Sequence, residues 1–189
     1  MENELLHTEP EQSPKKDTLR ELFSTVELLA LAAAIILLIF SFVVRITVVE
    51  GGSMEDTLLG GDRLLVSDLF YTPERGDIVI IQSPRINGGD AIVKRVIAVE
   101  GDTVAIREDG IYVNGERLNE TDGSLGYQIS AYGYQPKAPQ VVGKDKLFVL
   151  GDHRSVSLDS RAFGQVSESA VVGKVLFRIF PFSSFGTVN

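Results

Sequence analysis

The chain has 189 residues, a formal net charge of −8, two histidines and no cysteine. That length suits one domain plus an appendage. Thiol catalysis, disulfides and thiolate metal sites are excluded, a zinc site built on several histidines is excluded, and no basic patch marks a nucleic-acid partner.

Residues 1–25 are polar and charged, with Pro10 and Pro14, and read as a disordered tail. Leu28 to Val44 then runs for seventeen residues without a charge. At 1.5 Å per residue this is about 26 Å of helix, close to a bilayer's hydrocarbon core, and Val26, Glu27 and Arg45 extend it. Residues 26–45 are therefore expected to form a single membrane anchor. A cleaved signal peptide is the rival, but the run exceeds an h-region and Arg45-Ile46-Thr47-Val48 offers no cleavage site. Lys15, Lys16 and Arg20 favour a cytoplasmic N-terminus, which places residues 46–189 outside the cytoplasm.

Directly after the anchor comes Glu50-Gly51-Gly52-Ser53-Met54-Glu55-Asp56-Thr57-Leu58-Leu59. Paired glycines allow a sharp turn that presents Ser53. On its own that serine reads as a turn or helix-capping residue, and as a nucleophile only if the chain supplies a base.

The rest has period two. Strands are predicted at Ile46–Val49, Arg63–Ser67, Asp77–Ile81, Ala91–Val99, Thr103–Arg107, Gly110–Val113, Lys146–Leu150 and Val171–Phe180. Asn114-Gly115 marks a tight hairpin. The pattern argues for a mainly β domain, a barrel or sandwich, following one N-terminal transmembrane helix. Residues 119–145, rich in Gly, Ser and Tyr, read as a loop or variable excursion.

Two further stretches carry chemistry. Lys94 and Arg95 sit in an otherwise apolar strand, on opposite faces, so one of them is expected to point inward. A buried lysine loses part of its affinity for a proton and becomes a competent base; a lysine snorkelling from a strand edge does not. Gly151 to Gly164 packs Asp152, Arg154, Asp159 and Arg161 with three serines, either as a rigid support for a site or as a polar loop held by its own ion pairs. His153 within it is a second candidate base.

Together the three stretches resemble the bacterial type I signal peptidases, membrane-anchored Ser-Lys endopeptidases of family S26. Their S-M-x-P-T-L motif is matched by Ser53 to Leu58, R-G-D-I/V-V by Arg75 to Val79, K-R-V by Lys94 to Val96, and G-D-N-x-x-x-S-x-D-S-R by Gly151 to Arg161. The resemblance implies an antiparallel β-sandwich or barrel-like catalytic core in which Ser53 is the nucleophile and Lys94 the base. It implies that Ser157 hydrogen-bonds the lysine amine, that Asp159 and Arg161 form a supporting salt bridge, and that Asp152 and Arg154 stand beside them. It implies a substrate bound as an added strand near Gly51, Gly52, Met54, Asp90 and Ile92, with small residues at −1 and −3. The partners implied are signal peptides of exported preproteins and the lipid bilayer of the plasma membrane, with no cofactor, no metal, no nucleic acid and a monomeric enzyme.

Four positions depart from the family. Asp56 replaces proline, Gly51 stands where some members carry an oxyanion-hole serine, Ala98 and Glu100 replace glycine and proline, and His153 replaces asparagine. The alternative is a catalytically inactive, membrane-tethered β-domain that binds exported partners. Retention of both Ser53 and Lys94 speaks against it.

Overall fold

The computed structural model describes residues 14–55, 57–107, 110–118 and 137–188. Expectations for residues 1–13, for Asp56 and for the excursion up to residue 136 lie outside them. The chain forms two compact units, divided between Phe42 and Val43.

The first unit is helical. Helix α1 covers Pro14–Val43. Residues 14–25, expected to be disordered, are therefore helical. Proline is tolerated in a first helical turn, and Lys15 to Phe23 carries good helix formers that extend the apolar run backwards. Among the described residues this is the helix long and apolar enough to cross a membrane, over Leu19–Leu38. At the other end Val44 and Arg45, read as the last residues of the anchor, are already strand. The β-branched run Val44-Arg45-Ile46-Thr47-Val48 favours extended backbone.

The second unit is antiparallel β. Its strands are β1 (Val44–Val48), β2 (Arg63–Ser67), β3 (Ile78–Ile81), β4 (Ile92–Ala98), β5 (Thr103–Arg107), β6 (Gly110–Val113), β7 (Glu116–Arg117), β8 (Lys137–Val141), β9 (Lys146–Leu150), β10 (Val166–Ser167), β11 (Val171–Phe180) and β12 (Gly186–Thr187). One sheet runs β1-β2-β11-β3-β4-β9-β10, with β12 added to β11; the smaller one runs β7-β6-β5-β8. The hairpin at Asn114-Gly115 forms as expected, with φ of 54° and 85° and Val113 paired to Glu116. Strand β8 lies in the stretch read as loop. It pairs with β5, and Pro139 within it is compatible with the sheet's edge.

Strand β3, Ile78-Val79-Ile80-Ile81, is buried on both faces. Ile78 and Ile80 pack with Met54, Leu58, Leu64 and Val66, whereas Val79 and Ile81 pack with Val96, Leu147 and Val149. A third cluster joins Ile97, Val104, Ile111 and Phe148, coupling the large sheet to the small one. Strands β3 and β4 are thus central and covered on both sides, which fixes the environment of Lys94.

Candidate active site

Ser53 follows the turn at Gly51, whose φ of 75° lies in the left-handed region that glycine adopts without strain. Beyond it the backbone closes a short turn in which Leu58 N–H donates to Met54 O at 2.7 Å. Met54 and Leu58 are inserted into the core, so the turn is clamped from below. Met54 (1 % exposed) sits behind the serine rather than in the open cleft.

Lys94 and Arg95 are both 2 % exposed. The expectation that only one points inward fails because β4 is covered on both faces. Lys94 Nζ donates to Ser53 Oγ at 2.6 Å. Burial lowers the lysine pKa from 10.5 to about 8. The nearby Asp159 and Asp152 carboxylates pull it up, and the Arg161 guanidinium pushes it further down. Arg95, on the other face, grips Asp152 bidentately, Nε to Oδ1 at 2.8 Å and Nη2 to Oδ2 at 2.7 Å, and donates from Nη1 to Gly76 O at 2.9 Å. Thr57 Oγ1 also donates to Asp152 Oδ2, at 2.6 Å. Asp152 therefore ties the serine turn to the lysine strand. Its partner is Arg95, not the adjacent Arg154, a pairing that needed the third dimension to see.

The Gly151–Arg161 segment forms the opposite wall. Arg161 donates Nε to Asp159 Oδ1 and Nη2 to Asp159 Oδ2, both at 2.8 Å, and Nη2 also reaches Arg154 O at 2.7 Å. Asp159 Oδ2 accepts from Gly151 N–H at 3.2 Å, and Arg154 Nε donates to Gly151 O at 2.8 Å. Asp159 also caps the short helix α2 (Ser160–Phe163), accepting from Arg161 N–H. Asp152, Arg154, Ser157, Asp159 and Arg161 are all buried. Buried charges paired and hydrogen-bonded in this way resist rearrangement. The loop reaches Ser53 directly: His153 N–H donates to Ser53 O at 3.0 Å. Ser157 is buried against Gly151, where a Cβ on residue 151 would collide with Ser157 and with Ser53 O. The His153 ring faces Gly52 O at 3.2 Å and Glu55 Oε2 at 3.3 Å. Lys94, not His153, holds the serine hydroxyl.

An open cleft flanks Ser53. One part, about 280 Å³, lies between Thr47–Ser53 and Asn87–Val93; the other, about 270 Å³, continues past Gly51, Gly52 and Lys94 to Val156 and Leu158. Of the residues expected to meet substrate, Gly51, Gly52, Asp90 and Ile92 line it. Glu50, Asn87, Val156 and Leu158 line it too and carry no motif that would have singled them out.

A family profile described as signal peptidase, peptidase S26, matches residues 22–180. The chain belongs to this family. This S26 member is 37% identical over 182 residues to signal peptidase IB of Staphylococcus aureus, covering 88% of this chain and 93% of that one. It is 37% identical over 184 residues to signal peptidase I of Bacillus licheniformis, covering 93% and 96%. A solved signal peptidase I from Enterococcus faecalis is 32% identical, covering 55% of this chain and 97% of that one, with a TM-score of 0.44.

Proposed function

We propose that Ser53 is the nucleophile and Lys94 the general base with which this chain, a signal peptidase I, cuts the signal peptides of preproteins. The observation that carries the assignment is the 2.6 Å contact between the buried Lys94 amine and Ser53 Oγ. With a pKa of about 8 the amine is neutral in a useful fraction of molecules near neutral pH.

The neutral amine takes the Ser53 proton as Oγ attacks the carbonyl after a small residue. The resulting ammonium returns the proton to the departing amine of the mature protein, leaving an ester on Ser53. Lys94 then deprotonates a water that attacks the ester, and the proton returns to Ser53 Oγ as the signal peptide leaves with a free carboxylate. The Ser53 main-chain N–H is the candidate oxyanion donor. The ion pairs Arg95–Asp152 and Arg161–Asp159 hold serine and lysine in register before substrate arrives. Helix α1 serves as the membrane anchor with a cytoplasmic N-terminus, and the β unit acts outside the cytoplasm. Residues small enough for the cleft, as in Ala-X-Ala, define the cut.

The test is cleavage in detergent of a preprotein with alanine at −1 and −3, with wild type, Ser53→Ala and Lys94→Met. Both variants should fold and lose at least about a thousandfold in rate. Substantial activity in Lys94→Met refutes Lys94 as the base.

A further inference from the structure

Among the described residues, the charged side chains that line the cleft around Ser53 are Glu50, Asp90 and Lys94. Lys94 is buried and held on Ser53 Oγ, so the mouth of the cleft is anionic. Glu50 borders both parts of the cleft. Glu50 and Asp90 are exposed, and among the described residues neither carboxylate is engaged by a cation or a hydrogen-bond donor. Other acids of this unit are occupied: Asp62 by Arg178, Asp77 by Lys174, Asp152 by Arg95 and Asp159 by Arg161. Two unoccupied carboxylates bordering the cleft of the nucleophile therefore stand out.

Among the described residues, strand β1 is the end of its sheet and pairs on one side only, with β2. Its free edge, continued through Glu50, can accept an extended peptide. In such a peptide alternate side chains face opposite ways. The residues at −1 and −3 then face the apolar lining of Ile80, Ile92 and Val93, and the residue at −2 faces the mouth.

We propose that Glu50, assisted by Asp90, makes this enzyme favour preproteins with lysine or arginine at −2. The inference rests on the signal peptidase reading above and adds a charge preference to it. A long cationic side chain at −2 lies against the lining and brings its head to the two carboxylates. Exposed ion pairs are individually weak, and two of them together give about a three- to tenfold preference at low salt. Salt screens such pairs, so the preference fades as ionic strength rises. Neither acid is among the groups whose charge moves the Lys94 pKa, which are Asp159, Asp152 and Arg161. Specificity and base strength therefore rest on separate residues.

The experiment uses the full chain in detergent and three preproteins identical except at −2, reading Ala-Lys-Ala, Ala-Gln-Ala and Ala-Glu-Ala. Wild type should show kcat/KM in the order Lys, Gln, Glu, with a Lys:Gln ratio of about three to ten at low salt that shrinks in high salt. In Glu50→Gln/Asp90→Asn the ratio should fall to about one, while the midpoint of the pH–rate profile stays in place. Equal rates on all three substrates in wild type overturn the charge preference and leave the peptidase reading standing. A ratio that survives in the double variant overturns the assignment to Glu50 and Asp90. If none of the three is cut, the peptidase reading fails and the preference falls with it.

Discussion

Burying Lys94 destabilises the protein, and the amount can be measured. Its amine has a pKa of about 8 when folded and 10.5 as its ordinary value. That difference corresponds to about 3 kcal/mol against the protonated folded state. The folded value is the lower one, so between pH 8 and 10.5 the unfolded chain binds the extra proton and stability rises with pH. Below pH 8 the penalty is present in full; above 10.5 it is gone. Lys94→Met keeps the volume and removes the titration, at the loss of one hydrogen bond to Ser53 worth about 1 kcal/mol. The variant should therefore be about 2 kcal/mol more stable than wild type at pH 7 and slightly less stable at pH 11. The chain has no tryptophan, so urea unfolding in detergent is best followed by circular dichroism. A stability difference that stays constant from pH 7 to 11 would refute the lowered pKa. With Lys94 in its proposed role as base, wild-type kcat/KM should rise about tenfold per pH unit below 8 and flatten above it.

Further outcomes follow from the supporting bonds. Asp152→Asn leaves the buried Arg95 guanidinium without its counter-charge and should destabilise by about 3–5 kcal/mol, whereas Arg95→Met/Asp152→Leu should recover much of that in urea titrations. Gly151→Ala drives a methyl group into Ser157 and the Ser53 carbonyl. It should lower kcat about a hundredfold with an overpacking loss of about 1–3 kcal/mol, separable by running cleavage and unfolding on one preparation. Tyr71 donates to Asp77 Oδ2 at 2.7 Å, and burial, reinforced by that carboxylate, holds its phenol far above the usual value. Wild type should therefore lose stability as pH climbs past about 10, where unfolded tyrosine ionises, and Tyr71→Phe should lose less.

Much of this site was legible because its chemistry needs particular residues at fixed positions. Ser53 and Lys94 stood out as candidates from their settings in a glycine turn and an apolar strand, while their pairing and the Asp159–Arg161 bridge were expected only from the resemblance to the family's motifs. Strand edges at Arg63–Ser67 and Thr103–Arg107 were also legible, since turn residues bracket them. What the chain hid depends on neighbours far away in sequence. Alternation assigns one face of β4 to solvent, but β3 and β9 flank β4 and both faces are covered, so Arg95 is buried with Lys94. Asp152 has Arg154 two residues away and chooses Arg95, 57 residues distant. Strand β8 was missed because Pro139 and the polar residues of Lys137–Val141 suit only an edge, where packing on β5 decides. Helix α1 starts early because a strong helical segment recruits its polar flank, an effect that composition alone reads as disorder.

Strand β11 lies between β2 and β3, although 103 residues separate it from β2 and 89 from β3 in order of synthesis. Until residues 171–180 have been made, β2 and β3 have no common neighbour and the large sheet is split. Ser53 and Lys94 stand on the two sides of that split, since the serine turn lies between β1 and β2 and the lysine on β4. A growing chain thus contains Ser53 and Lys94 long before it can bring them together. The contact between Ser53 and Lys94 therefore depends on pairings distant in sequence, which places it late in folding.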